Sequence, residues 1–163
     1  MRALALWVLM LAAPAAFSYE LNGVPLRGHE SQVKKAFPSA YCKPLEWKTA
    51  VADRRCDDAK IAFGGVQARL TVYLRGDSIQ AFSVRFDTKD RAKVAAHFKS
   101  RWGAPAGEVT ETISRKGKED RRIYKVRWEK GNEHALLAAQ FDRKRASLEA
   151  WLGNFVEEIY KVR

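Results

Sequence analysis

The chain has only two cysteines, Cys42 and Cys56, which bracket the stretch CKPLEWKTAVADRRC. A redox couple would normally have the C-x-x-C spacing that tunes a reactive thiolate, and thirteen residues lie between these two. A zinc site would need further cysteine or histidine ligands nearby, and the nearest histidine is His29. In an oxidising compartment the pair is most simply a structural disulfide, with two free thiols as the alternative.

The segment between the cysteines contains Pro44, Trp47 and a charged run at 53–55, without helical or strand periodicity. It predicts an irregular loop whose freedom a disulfide would limit. Closing a loop of this length stabilises a fold by roughly 3 kcal/mol in the chain-entropy model. Two roles stay open: the loop ties the first helix to the following hairpin, or it presents Trp47, Arg54 and Arg55 for recognition.

Histidines and paired acids give no basis for a catalytic site. His29, His97 and His134 have no metal-binding spacing, and the chain has neither a G-x-S-x-G motif nor a phosphate-binding loop. The adjacent acids at 57–58 and 157–158 would point apart on a strand, so they make no acid–base pair. We therefore predict a non-enzymatic protein without a metal or cofactor. The alternative is a small enzyme whose site is dispersed along the sequence.

Basic residues concentrate in two predicted turns of the second half. In an antiparallel meander the first and third turns lie at the same end, so the pattern predicts a basic rim with a net excess of about five positive charges. Exposed basic turns commonly serve solubility, and the functional alternative is a rim that attracts a polyanion or an acidic protein. The residues of this basic rim are Arg115, Lys116, Lys118, Arg121, Arg122, Arg143, Lys144 and Arg145.

Three aromatic residues are further candidates for contacts with a partner. Tyr73 alternates with the polar Arg69 and Thr71, and Trp151 falls on the same side as polar neighbours, so both are predicted to face away from the core. Trp47 lies in the cysteine loop. Aromatic side chains of this kind suit a protein interface or a stacking platform, unless the C-terminal tail covers them.

The N-terminus predicts export. A single charge at Arg2 precedes an apolar run at 3–17 and small residues, which is the order of a secretory signal peptide. We place it at 1–18, with a retained anchor as the alternative, although the run falls short of the ~20 residues of a membrane span. The mature chain would then be one domain at 19–163, periplasmic or secreted, without a membrane span.

The formal net charge of the chain is +11. Such a charge favours anionic partners and does not specify a fold. Because the protein is predicted to be exported, anionic envelope polymers and envelope proteins are its expected partners. We do not expect nucleic acid to be its partner.

Periodicity predicts an α+β fold, in which two helices pack on one face of an antiparallel sheet made of a hairpin and a four-strand meander. A short strand at 60–63 is optional, and the tail at 154–163 favours a strand over a short helix. The motif V-x-x-x-F at 33–37 and again at 94–98 suggests two degenerate half-repeats, 19–87 and 88–163. The predicted helices are 28–38 and 88–102, and the predicted strands are 66–74, 80–86, 109–115, 122–128, 134–141 and 146–152.

These features resemble small exported proteobacterial proteins. The shared elements are a signal peptide, a helix with V-x-x-x-F-P, a cysteine loop, a hairpin, and a helix that ends in WGAP at 102–105. The chain is similar in element order to the small outer-membrane assembly lipoprotein family and the β-lactamase inhibitor protein family. That resemblance implies helix-plus-sheet modules that bind other proteins. The chain departs from the first family in having no lipid-anchoring cysteine, and from the second in having cysteines in its first half alone.

We therefore predict a basic, disulfide-bonded exported protein that binds an envelope protein or an anionic envelope component through its sheet. A first alternative is an inhibitor of a secreted enzyme, in which the loop at 42–56 would enter a cleft of that enzyme. The dispersed-site enzyme is the second alternative.

Overall fold

The computed structural model describes residues 18–161, so the predicted signal peptide lies outside the described residues except for Ser18. The described chain is α+β, with an eight-stranded antiparallel sheet, a two-stranded sheet and three short helices. The helices are α1 (Glu30–Ala36), α2 (Arg91–Trp102) and α3 (Phe155–Glu158). The strands are β1 (Glu20–Leu21), β2 (Val24–Pro25), β3 (Tyr41–Pro44), β4 (Arg54–Phe63), β5 (Val66–Arg75), β6 (Ser78–Asp87), β7 (Gly107–Arg115), β8 (Lys118–Lys130), β9 (Glu133–Gln140) and β10 (Arg145–Leu152).

The large sheet has the strand order β3-β4-β5-β6-β10-β9-β8-β7. Each half of the chain contributes one helix followed by four consecutive strands, and the two halves meet where β6 pairs with β10. The order of elements is therefore mirrored about the centre of the sheet. The division into half-repeats stays a prediction.

Helices α1 and α2 pack on one face of the sheet, as the periodicity predicts. Val33 of α1 and Phe98 of α2 are fully buried in the main apolar core. The ring of Phe98 lies 5.5 Å from that of Phe63 on β4, and Trp102 lies 5.5 Å from Trp128 on β8. This face takes every second residue of the strands, because successive side chains of a strand point to opposite faces.

Local signals explain where the helices begin and end. His29 and Gln32 form a capping box at the start of α1, and the helix ends before Phe37 and Pro38. The Asp87 carboxylate accepts the backbone N–H of Lys89 in the 3-10 turn that leads into α2. Gly103 has a φ of 87°, a left-handed value that favours glycine, and it stops α2.

The disulfide is confirmed, and part of the loop prediction is wrong. Cys42 and Cys56 are bonded and lie directly opposite each other on β3 and β4. The ends of the predicted loop are therefore strands, and 45–53 alone connects them. Strand β4 also absorbs the optional strand at 60–63, with a register shift between Asp58 and Ile61.

The C-terminal tail is helical where a strand was favoured. Helix α3 packs Phe155 and Ile159 into a second apolar cluster with Ala52 and Ala81. The sequence at 154–163 is compatible with a strand and with one helical turn, and its packing on the sheet selects the helix. The strand interpretation is therefore wrong for Phe155–Glu158.

The first chain segment is anchored by a buried carboxylate. Glu133 of β9 is 5% exposed and accepts the backbone N–H of Tyr19 at 2.9 Å and the hydroxyl of Ser18 at 2.8 Å. Arg27 forms an ion pair with the same carboxylate. Three donors thus compensate this buried charge, as burial of an ionised acid requires.

Candidate binding face

The face of the large sheet opposite α1 and α2 is called the open face here. Directly paired residues of antiparallel strands share a face, so the register arranges its side chains in rows, three of which cross most of the sheet. Of these three, the row on the side of the β4–β5 turn is Arg69, Arg85, Ser147, Ala138, Lys125 and Val109. The middle row is Asp57, Thr71, Ser83, Glu149, Leu136 and Arg127. The third row is Arg55, Tyr73, Ala81, Trp151, His134 and Glu129.

Helix α3 and the 45–53 loop lie over part of the third row, which we call the covered end. The ring of Phe155 lies 5.3 Å from that of Tyr73. The Trp47 indole N–H donates to the Ile159 carbonyl at 2.7 Å, and the Thr49 hydroxyl donates to that of Glu158 at 2.9 Å. The loop and the tail therefore hold each other in place over the sheet.

The predicted interface aromatics are packed together at this covered end. Trp47, Tyr73 and Trp151 are partly buried, and all three contact the second apolar cluster. Trp47 also stacks on Tyr160, with 6.0 Å between ring centroids. Burial, reinforced by the charge of a neighbouring tyrosine, raises the pKa of Tyr73 to about 12. Their role as contacts with a partner stays a prediction. In this structure the three side chains pack against the second apolar cluster.

The cysteine-loop arginines are engaged in ion pairs. Arg54 lies 3.0 Å from the Glu30 carboxylate of α1. Arg55 lies 2.9 Å from Asp57 and 3.6 Å from Glu46. The two residues therefore link the stapled strands to their surroundings, and neither is an isolated charge.

The other end of the open face carries two arginines that sequence analysis did not select. Arg69 and Arg85 are exposed and lie directly opposite each other on β5 and β6. Among the described residues, neither guanidinium has a carboxylate partner within 4 Å; Arg85 is coupled to Glu149 only at longer range. The detectable signal was the alternation itself, which places both arginines on the polar side of two strands whose pairing the turn RGDS predicts.

Glu149 lies beside this pair in the middle row. Burial raises the pKa of its carboxyl, and the positive charge of Arg85 and a hydrogen bond with Ser83 oppose that shift. The group is thus an acid partly withdrawn from solvent next to an unpaired arginine. It lowers the local positive potential without forming a close ion pair.

The half of the open face formed by β7–β9 is partly aliphatic. Val109 is 48% exposed and Ile113 is 45% exposed on the edge strand β7. Leu136 and Ile123 on the neighbouring strands are half-buried. Lys125 lies among them and forms an ion pair with Glu111 at 2.7 Å. Within residues 18–161, helices α1 and α2 and the tail all pack elsewhere, so this mixed surface faces solvent.

The structure brings the two predicted basic turns to the same end of the sheet but divides their side chains. Asp142 lies 3.8 Å from Arg115 and 3.7 Å from Arg121, so it links the two turns. Arg122 instead stacks over the Phe141 ring, 4.8 Å from its centroid, together with Arg91 of α2. Lys116, Lys118, Arg143, Lys144 and Arg145 are exposed. The basic rim is therefore spread over both faces, and its role in binding stays a prediction.

Several of these rim residues were assigned to the wrong element. Strands β7 and β8 continue to Arg115 and Lys118, so the first turn is just Lys116 and Gly117. Arg121 and Arg122 are strand residues that point to opposite faces. The alternation of side chains along β8, and not turn geometry, places their charges.

The histidines have separate local partners. His29 lies 2.9 Å from Asp77, and His134 pairs with Glu129. His97 packs against Phe63, and burial lowers its pKa. Residues 18–161 contain no group of three or more His, Cys, Asp or Glu placed to hold a metal ion. In the same range, no helix has the length and hydropathy of a membrane span.

Comparison of the chain with protein-family models, with curated proteins and with solved structures returns no match. The resemblance to the two envelope families therefore stays a prediction from the sequence.

Proposed function

We propose that the chain is an exported, non-catalytic binding protein whose open face docks on an acidic envelope protein. The observation that carries the proposal is the uncovered half of that face, where Val109, Ile113 and Leu136 lie among charged neighbours. Protein interfaces combine aliphatic patches with a polar and charged surround in this way. The disulfide and the lack of a membrane-spanning helix among the described residues are compatible with export.

Charge supports an acidic partner. The net charge is +11, and the arginines Arg69 and Arg85 stand on the same face as the aliphatic patch. A protein with a negative surface would be steered toward this face, and the association rate would fall with added salt.

A protein partner is favoured over a sugar or nucleic-acid polymer. Such polymers are commonly held by stacking on exposed aromatic rings. The three predicted interface aromatics, Trp47, Tyr73 and Trp151, are instead partly buried against the second apolar cluster at the covered end. The inhibitor alternative needs a presented loop, and the packing of Trp47 and Thr49 on the tail gives that alternative no support.

The test uses two double variants of one strand. Val109→Asp with Ile113→Asp changes the open face, whereas Thr110→Asp with Thr112→Asp adds the same charge to the opposite face of β7. All four positions are exposed, so both variants are expected to fold. Each mature, oxidised protein is used to capture partners from an envelope extract at low and high salt.

We expect a stoichiometric acidic protein that the wild type and the Thr variant retain and that the Val–Ile variant loses. Its capture should weaken with salt without disappearing, because aliphatic contacts are not screened. Equal retention by both variants would show that the open face is not the docking surface.

A further inference from the structure

Arg69 and Arg85 border an open cleft of about 420 Å³ at the end of the sheet. Three more basic residues line it: Lys60 on β4, Lys144 before β10 and Arg145 at the start of β10. Five cationic side chains from four segments of the chain thus converge on one cleft. We call this cavity, with the five side chains that line it, the arginine cleft.

Asp87, the one acid among the described residues that line the arginine cleft, is already engaged. The Asp87 carboxylate accepts the backbone N–H of Lys89 at 3.0 Å and lies 3.7 Å from the Lys89 ammonium. It also faces Arg145 directly across β6 and β10. Its charge therefore offsets Lys89 and Arg145 and leaves Arg69 and Arg85 without a close partner.

Like charges placed directly opposite on neighbouring strands destabilise a sheet. Here no described carboxylate lies within 4 Å of either guanidinium to relieve that repulsion. An anion between the two side chains would relieve it, and arginine presents a planar fork of donors that matches the oxygens of a phosphate or a carboxylate.

Neutral donors stand beside the pair. Ser147 lies directly opposite Arg85 on β10, and its hydroxyl has no hydrogen-bond partner among the described residues. The hydroxyl of Thr71 in the next row is already committed to Asp57 at 2.7 Å. Ser147 is thus the free hydroxyl next to the arginines.

We propose that the arginine cleft binds a multiply charged oxyanion, a phosphate group or a set of adjacent carboxylates, held between Arg69 and Arg85. Ser147 donates one further hydrogen bond, and Lys60, Lys144 and Arg145 supply the surrounding positive potential. The five cationic side chains exceed the single negative charge of Asp87 by four. One further carboxylate would therefore leave most of this positive charge uncompensated. The inference rests on the proposed function in one respect: the group is taken to be carried by the partner that docks on the open face.

The experiment measures binding of inorganic pyrophosphate and of citrate to the mature, oxidised protein by calorimetry, at constant ionic strength set with NaCl. Arg69→Gln with Arg85→Gln removes the pair. Lys35→Gln with Lys93→Gln is the matched control, because it removes the same charge from exposed positions of α1 and α2 that lie outside the cleft.

We expect the arginine variant to bind the preferred probe at least tenfold more weakly and the lysine control to stay within twofold of wild type. A preference for pyrophosphate identifies a phosphate group, and a preference for citrate identifies carboxylates. Equal weakening in both variants, or no binding of either probe to wild type, would overturn the proposal.

Failure of this inference can be told apart from failure of the proposed function. Val109→Asp with Ile113→Asp lies outside the cleft and should leave probe binding unchanged. If that variant loses the captured protein while wild type binds neither probe, the docking face stands and the arginine cleft is not an anion site. If wild type binds the probe and captures no protein, the anion site stands alone.

Discussion

The two ends of the open face differ in what covers them. At the covered end, Tyr73, Ala81 and Trp151 lie under α3 and the 45–53 loop. At the other end, Arg69 and Arg85 occupy equivalent outward positions of the same two strands, β5 and β6, and nothing among the described residues packs on them. The same alternation therefore produced packing residues at one end and unpaired charges at the other.

The two ends differ because the disulfide-linked 45–53 loop and the C-terminal tail cover only one of them. The disulfide joins β3 to β4, and the 45–53 loop that leaves these strands binds the tail through the Trp47 indole and the Thr49 hydroxyl. The disulfide and these two hydrogen bonds stabilise the covered end, whereas the arginine cleft carries an unrelieved repulsion. A binding surface commonly gives up stability in this way, since it is shaped for a partner.

The largest expected effect on stability comes from removing the disulfide. Cys42→Ala with Cys56→Ala should lower the free energy of unfolding by about 3 kcal/mol, because the bridge closes a loop of about fifteen residues in the unfolded chain. Urea denaturation of the oxidised protein and the variant measures the difference. Probe binding at the arginine cleft should be unchanged below the transition, and its loss before unfolding would show that the two ends are coupled.

A smaller loss is expected from Phe155→Ala. Phe155 is 5% exposed in the second cluster, and removing its side chain forfeits about 2 kcal/mol of burial. The fluorescence of Trp47 and Trp151 should shift toward longer wavelength as the tail loosens. Val156→Ala, at an exposed position of the same helix, is the control and should change neither quantity.

Arg69→Gln should instead stabilise the folded protein. Removing one of two directly opposed like charges is expected to raise the free energy of unfolding by about 0.5 kcal/mol at low salt. The gain should fade at high salt as the repulsion is screened. Arg143→Gln, in an exposed turn, provides the comparison. A loss of stability in Arg69→Gln would mean that the arginine has a favourable partner in the folded protein.

The smallest expected effect is a pH dependence from Glu149. Its folded pKa is raised by burial, so the folded state holds the proton more tightly than the unfolded state. The contribution of Glu149 to stability is therefore fully present below its unfolded pKa and is lost as pH rises through the folded pKa. Glu149→Gln should remove that decline, so its stability relative to wild type should increase as the pH rises above about 4.3, the ordinary pKa of a glutamate. A parallel pH profile for the two proteins would contradict the assignment.

Local patterns were sufficient for much of the fold. Alternation at 66–74 and 80–86 identified both the strands and their buried faces, and the helical spacing of Val94 and Phe98 identified the core face of α2. The spacing and expected compartment of the cysteines identified the disulfide. These signals work because side-chain direction depends on backbone geometry over a few residues.

Longer-range relations were beyond those patterns. The tail at 154–159 forms a helix because Phe155 and Ile159 find a surface made by Ala52 and Ala81, which lie far away in sequence. The basic residues Arg121 and Arg122 are adjacent in the chain, yet one pairs with Asp142 and the other stacks on Phe141. Turn composition alone could not predict that division.

By itself, the sequence determined the class of fold, the disulfide, the core that faces the helices and the positive charge. Each of these depends on composition, on residue spacing or on a short hydrophobic period. Tertiary structure decided which outward residues are free. The pairing of β6 with β10 joined the two halves into one sheet, and the docking of the tail closed one end of its open face. Alternation and the hairpin turn place Arg69 and Arg85 on one face, but the pairing of β6 with β10, which no local pattern specifies, brings Lys144 and Arg145 to the same cleft.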